Sequence, residues 1–217
     1  MDEVKTEGQK LQEKLFFKQQ TIWETASEAE IKDSYDFCEE YKSFLDSSKT
    51  EREFIANAKK LADSSGFVPL DSLIKKNAKI APGTKVYHIN RHKSAVFAVI
   101  GRRPLEDGVN ILGSHVDSPR IDLKQNPLYE DTGLALFKTH YYGGIKKYQW
   151  LTIPLAIHGI VIKSDGTPVE IVIGEEEDDP VFNITDLLPH LAKDQMQKKM
   201  SEAVTGEGLN LLLGSIP

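Results

Sequence analysis

The stretch VNILGSHVDSP, Val109–Pro119, decides how the rest of this sequence is interpreted. An apolar run leads through two small residues to His115 and Asp117, which lie two positions apart. Side chains alternate between the faces of a strand, so a strand through this stretch predicts that His115 and Asp117 point the same way. A carboxylate that accepts one imidazole N–H fixes the tautomer and leaves the other nitrogen free for a metal. The sequence therefore predicts a buried strand over 109–116, closed by Pro119, that presents a metal-binding histidine.

The His115–Asp117 pair has a second interpretation, because a short His-X-Asp pattern also arises by chance and forms purely structural hydrogen bonds. A metal site needs three or four ligands. The other histidines show neither HExxH nor HxH spacing; they are His88, His92, His140, His158 and His190. The pair's place at the end of the most apolar predicted strand favours the metal interpretation, since α/β sheets bind ligands there.

Composition excludes several classes of protein. The 217 residues carry a net charge of −6 and no dense basic block, which argues against nucleic-acid binding. The longest apolar stretch, 151–162, is broken by Pro154 and His158 and is too short to span a bilayer, so no membrane partner is expected. Cys38 is the only cysteine, and the first ten residues have no apolar core. These two features predict a cytoplasmic location.

Periodicity predicts helices first and strands afterwards, as in an α/β protein. One helix is predicted over 5–25, and capping boxes at Ser27 and Thr50 begin two more, the last of which ends at Gly66. The later predictions are a hairpin over 85–100, an exposed connection over 120–132, strands over 134–142, 150–163 and 169–173, a helix near 185–200 and a final strand over 209–213. That final strand has no predicted partner, which suggests a domain that continues further.

Three segments resemble the aspartyl-aminopeptidase-like family of dinuclear zinc aminopeptidases, in its bacterial branch. They are SHVDSPRIDLKQNPLYED, TGLALFKTHYYGGIKKYQWLTIPLAIHGIV and LLPHLAKDQ, and the resemblance runs from about residue 80 to the end. It implies the first part of a zinc-exopeptidase-like α/β/α catalytic domain over 1–125. It also implies a β-rich dimerisation domain over 126–217, within which the sequence stops.

The resemblance also implies an activity: release of single residues from peptide N termini by a site that holds two zinc ions. His115 would be a zinc ligand, and Asp117 would be the catalytic-site residue that orients it. His190 would contact substrate or a neighbouring subunit, in dimers that build a dodecamer. Relatives carry a second histidine four residues after the position of His190, where this sequence has Asp194.

The remaining ligands and the general base are expected beyond Pro217, so the 217 residues alone should hold no metal tightly and have no peptidase activity. The alternative is a self-associating module without catalytic function, in which His115 and Asp117 form a structural pair. An esterase or deacetylase would need a nucleophile or a full metal set, and neither is visible.

Overall fold

The structure is a computed structural model that describes residues 5–17 and 19–215, and it divides into two compact units, 1–46 and 47–217. The first unit contains α1 (Glu7–Leu15), α2 (Ile22–Thr25) and α3 (Glu28–Asp46). The predicted single helix over 5–25 is wrong, because Phe16 takes an extended backbone conformation that ends α1. The predicted capping box before α3 is confirmed, since Glu30 N–H donates to Ser27 Oγ and Ser27 N–H donates to Glu30 Oε2.

The second unit begins with a helix whose first turn matters for the rest of the molecule, α4 (Glu51–Ser64). Its capping box is also confirmed: Thr50 N–H donates to Glu53 Oε2 at 2.8 Å, and Glu53 N–H donates to Thr50 Oγ1 at 3.3 Å. Gly66 follows with φ of 81°, a left-handed conformation that glycine adopts without strain and that ends the helix as predicted.

A small sheet follows α4. It contains β1 (Val68–Pro69), β2 (Lys85–Asn90) and β3 (Ser94–Val99), and α5 (Leu70–Lys75) lies between the first two strands. The strands β2 and β3 form the predicted antiparallel hairpin. The buried apolar residues of this region are Ile55 and Ala62 on α4 and Val86 and Tyr87 on β2.

The predicted buried strand over 109–116 is wrong. These residues form no regular structure, and Leu112 is 100% exposed. A buried central strand needs neighbours that satisfy its backbone N–H and C=O groups. No strand among residues 5–17 and 19–215 pairs with this segment. The apolar sequence therefore gives strand propensity without the partners that a strand requires.

The second sheet is antiparallel, and its strands lie in the order β4 (Arg120–Asp131), β5 (Leu134–Tyr142) and β8 (Leu211–Gly214). The predicted exposed connection over 120–132 is wrong, because Arg120–Asp131 is the long strand β4, which pairs with β5 (Leu134–Tyr142). The register shifts between Leu123 and Leu128, and this bulge contains Pro127. The expectation that the last strand lacks a partner is also wrong, since β8 (Leu211–Gly214) pairs with β5.

A separate hairpin, β6 (Ile157–Ile162) and β7 (Pro168–Ile173), turns at Ser164–Gly166 as predicted, although β6 is shorter than expected. The helix predicted near 185–200 is wrong; two short helices occur instead, α6 (Lys193–Met196) and α7 (Met200–Ala203). The buried core of this part of the chain contains Phe182, Ile184, Val204, Leu209 and Leu211.

The predicted mixed α/β class is observed. The predicted domain boundary after residue 125 lies inside β4 and stays a prediction. Within the described part of the chain, every helix is too short or too polar to cross a membrane.

His158 joins the β6–β7 hairpin to the first turn of α4. Its Nδ1 lies 2.7 Å from Glu53 Oε1, and its Nε2 lies 2.8 Å from Glu175 Oε1. Burial by itself lowers the pKa of His158, but hydrogen bonds to Glu53 and then Glu175 raise it above its ordinary value. Burial would raise the pKa of Glu53, yet the hydrogen bond from His158 and the Thr50 backbone N–H lower it. An imidazolium ion bonded to two carboxylates therefore connects the two elements.

Replacing His158 by glutamine should lower the free energy of unfolding by about 1.5–3 kcal/mol, a typical value for hydrogen bonds to charged groups. Because folding raises the pKa of His158, its ion pairs stabilise the fold fully below pH 6.5, the ordinary pKa of histidine. This stabilisation is lost as the pH rises through the pKa of His158 in the folded state. The lowered Glu53 pKa stabilises the fold above 4.5, and that contribution is lost as pH falls. Urea unfolding at a series of pH values should therefore show the largest loss of unfolding free energy in His158→Gln, relative to wild type, between pH 4.5 and pH 6.5.

The matched control for this prediction is His88→Gln. His88 lies 3.5 Å from Asp71, and both side chains are about half exposed, so its loss should have little effect at any pH. If the loss of unfolding free energy in His158→Gln did not change with pH, the ion pairs of His158 would contribute nothing to stability.

Candidate functional site

The predicted site residues lie on the irregular segment that precedes β4. His115 is 85% exposed at its side chain, and Asp117 is 36% exposed. The segment is held near the end of β5, where Gly143 has φ of 77° and lies against Pro119. The structure thus places the imidazole at an open surface and keeps its carboxylate partly covered.

The two side chains contact each other, although no strand aligns them. His115 Nδ1 lies 3.2 Å from Asp117 Oδ1 and 3.0 Å from the Asp117 backbone oxygen. A carbonyl oxygen and an ionised carboxylate can only accept hydrogen bonds, so Nδ1 must be the donor. In the neutral imidazole this leaves the lone pair on Nε2, the nitrogen that does not contact Asp117.

Tyr142 holds the other oxygen of the carboxylate. Its hydroxyl donates to Asp117 Oδ2 at 2.8 Å. This hydrogen bond, followed by one from the Asp117 backbone N–H, lowers the pKa of Asp117, and the neighbouring His115 acts in the same direction. Asp117 is therefore ionised at neutral pH and accepts a hydrogen bond from His115 Nδ1–H.

The structure does not assemble a complete metal site from the residues it describes. Over 5–17 and 19–215, no three or more His, Cys, Asp or Glu side chains are grouped closely enough to hold an ion. The donor chemistry of His115 fits one ligand position, because its Nε2 carries a free lone pair and its Nδ1 is fixed by a carboxylate. A metal bound at His115 would need further ligands beside this one.

His190 lies in an exposed turn between Leu188 and α6, and the structure gives it no contact that tests the predicted substrate or subunit role. Asp194 lies on α6 itself. His158 makes hydrogen bonds to two carboxylates and is not near the His115–Asp117 pair in sequence. Tyr142 and the two glutamates around His158 could not be identified from sequence, because these contacts join residues that are 25, 105 and 17 positions apart.

Comparison with known proteins identifies the family of this sequence. The profile of the family described as aminopeptidase I zinc metalloprotease (M18) matches residues 44–213. A curated relative, the probable M18 family aminopeptidase 1 of Clostridium acetobutylicum, is 49% identical over 195 residues, which are 90% of this chain and 42% of the relative. The corresponding Thermotoga maritima protein is 48% identical over 197 residues, 90% of this chain and 41% of the relative.

Solved structures agree with the sequence relatives. The M18-family aminopeptidase of Thermotoga maritima superposes with a TM-score of 0.83 at 46% identity, covering 93% of this chain and 43% of that one. Aminopeptidase I of Clostridium acetobutylicum superposes with a TM-score of 0.80 at 42% identity, covering 93% and 44%. The chain therefore spans well under half the length of these relatives, and its partial α/β fold is that of the M18 enzymes. On the family match and these identities, the chain belongs to the aminopeptidase I zinc metalloprotease (M18) family.

Proposed function

We propose that this chain supplies one zinc ligand and the subunit-interface part of a metal-dependent aminopeptidase that releases residues from peptide N termini. The observation that carries the proposal is the His115–Asp117 pair, in which Nδ1 donates to a carboxylate and the imidazole is 85% exposed. In a buried pair, other protein groups would satisfy the hydrogen-bonding capacity of both side chains. An exposed imidazole with a fixed tautomer is instead suited to bind a metal ion from solvent. Family membership supports zinc as that ion.

His115 would bind zinc through Nε2, and Asp117 would act through His115 and would not touch the metal. Zinc, when bound, lowers the pKa of a coordinated water and polarises a carbonyl oxygen. The ionised Asp117 retains the proton of His115 on Nδ1, which keeps Nε2 unprotonated, and stabilises positive charge on the ring. We further propose two zinc ions per complete site, with the general base on residues that lie outside the described part of the chain, and a cytoplasmic location.

Self-association is the second proposed role, and a different observation favours it. The segment 187–200 exposes large apolar side chains, namely Leu187, Leu188, Leu191, Met196 and Met200, beside an open groove of about 370 Å³. Several exposed apolar side chains within one segment favour a protein interface there. His190 lies within this segment, which fits its proposed contact with substrate or a neighbouring subunit. Dimers that build a dodecamer are proposed on the family resemblance.

Zinc binding tests the proposed division of the site. The 217-residue chain, dialysed against zinc and measured by elemental analysis, should retain less than one ion per chain, because one histidine cannot hold zinc tightly. A form extended to the length of the curated relatives should retain zinc stoichiometrically and hydrolyse an aminoacyl chromogenic peptide analogue. Tight stoichiometric zinc in the 217-residue chain would contradict the proposed division. An extended form with neither zinc nor hydrolysis would contradict the function.

A further inference from the structure

We propose that Tyr142 is a positioning residue for the metal site: its hydroxyl fixes the Asp117 carboxylate, which in turn fixes the tautomer of His115. The inference rests on the proposed function for its consequence in zinc binding, but its geometry is independent of any metal. Tyr142 does not touch His115; it acts through Asp117.

The first step of the argument is that the two oxygens of Asp117 have different partners. Oδ1 faces His115 Nδ1 at 3.2 Å, and Oδ2 accepts from Tyr142 at 2.8 Å. The Asp117 side chain lies on a segment without regular structure, so no helix or sheet fixes its orientation. With one oxygen held by the phenol, the carboxylate cannot rotate away from the imidazole without losing a charge-assisted hydrogen bond.

The second step is that the Tyr142 ring is itself held in place. Arg120 and Tyr142 are directly paired across β4 and β5, which puts their side chains on the same face of the sheet. The guanidinium carbon of Arg120 lies 4.2 Å from the centre of the ring, within the range of a cation–π contact.

The third step is that Arg120 is anchored in turn. Its Nη1 lies 3.0 Å from Glu51 Oε1 in the first turn of α4, and its Nε donates to Asp122 Oδ1 at 2.8 Å. Side-chain exposure is 85% at His115 and 36% at Asp117, Tyr142 is 39% exposed as a residue, and the anchoring side chains are better covered, at 26% for Arg120 and 17% for Glu51. The exposed imidazole is therefore connected, through Tyr142, to the well-covered beginning of α4.

The test is the tautomer of His115 in the complete 217-residue chain without metal. Long-range ¹H–¹⁵N correlation of uniformly ¹⁵N-labelled protein distinguishes the two neutral tautomers at an alkaline pH where histidines are uncharged. The His115 signals are identified by their absence from His115→Gln. Wild type should show mainly the Nδ1–H form. Tyr142→Phe, which keeps the ring over Arg120, should lower the ratio of Nδ1–H to Nε2–H about two- to fivefold. The loss stays below that of a full hydrogen bond, because the Asp117 backbone oxygen, 3.0 Å from Nδ1, still accepts from Nδ1–H.

Tyr141→Phe is the matched control. Tyr141 precedes Tyr142 on β5, so its side chain points to the opposite face of the sheet, and the Lys147 ammonium lies 5.7 Å from the centre of its ring. Its hydroxyl should be without effect on His115, and a role that is merely structural would leave the tautomer unchanged in both variants. A wild-type His115 that is mainly Nε2–H, or an unchanged ratio in Tyr142→Phe, would overturn the proposal. A wild-type His115 that is mainly Nε2–H would overturn the proposal even if the variant does not fold.

The same substitution in a zinc-binding extended form should weaken zinc affinity, measured by competition with a chromophoric chelator, by about tenfold or more. The two failures are distinguishable. If the tautomer shifts but the extended wild type binds no zinc, the proposed function is wrong and the positioning role stands. If the extended form binds zinc but neither tautomer nor affinity responds to Tyr142→Phe, the positioning role is wrong.

Discussion

Replacing His115 by alanine, in a form that carries the complete set of ligands, should abolish hydrolysis of an aminoacyl chromogenic substrate and leave assembly intact. The side chain is 85% exposed, and within residues 5–17 and 19–215 its hydrogen bonds are to Asp117, so its removal costs little packing. Loss of an outer partner of a metal ligand lowers metal affinity or activity by 10–100-fold, and loss of the ligand itself should exceed about 100-fold. Hydrolysis rates, zinc content and sedimentation velocity, measured on the same preparation, check the result.

His92→Asn is the matched control for this substitution. His92 is exposed in the turn between β2 and β3, where φ is 60°, a conformation that asparagine tolerates better than alanine. Activity, zinc content and assembly should all match those of wild type. If His115→Ala instead weakened assembly while each assembled particle kept its full activity, the chain would be a self-association module and the His115–Asp117 pair would be structural.

The features that sequence predicted best are those determined by a few adjacent residues. The capping boxes at Ser27 and Thr50, the end of α4 at Gly66 and the turn at Ser164–Gly166 each depend on side-chain chemistry within four positions. Such local hydrogen bonds and backbone preferences act before any tertiary contact forms, so a single sequence is sufficient to find them.

The wrong predictions concern elements whose state depends on distant partners. Residues 109–116 have strand propensity, but a strand forms only where other strands take up its hydrogen bonds. Residues 120–131 are polar and contain Pro127, which predicts a loop, yet pairing with β5 and a bulge at the proline make them a strand. The segment 185–200 has apolar residues at three- and four-residue spacing, as in a helix, but Pro189 lies within it and only short helices form.

The candidate site shows the same division. The adjacent pair His115 and Asp117 was found from sequence, because the two residues are two positions apart. Their supporting residues were not, since Tyr142, Arg120 and Glu51 reach the pair through strand pairing and an ion pair across the sequence. The first turn of α4 consequently has two long-range roles: Glu51 anchors Arg120, and Glu53 both caps the helix and accepts from His158. Neither role could be predicted from the capping box alone.

Replacing Leu209 by alanine should lower the free energy of unfolding by about 3–5 kcal/mol, the upper part of the range for a buried leucine. Leu209 is 0% exposed and lies in the cluster formed by Phe182, Ile184, Val204 and Leu211. Its backbone oxygen also accepts from the hydroxyl of Thr139, a buried side chain on β5. The surrounding chain is therefore held on several sides and cannot close the cavity, which is why a large loss is expected.

Urea unfolding of Leu209→Ala and of the matched control Leu188→Ala would measure this loss. Leu188 is 68% exposed, so its truncation should change stability by less than about 0.5 kcal/mol. The buried residues of α4 and the first sheet, which include Ile55 and Val86, are not part of the Leu209 cluster. Hydrogen exchange should consequently show lost protection in β5 and β8 before β2. Equal loss of hydrogen-exchange protection in both sheets would show that the two cores have no independent stability. Residues on either side of the proposed boundary near 125 would then unfold as one cooperative unit.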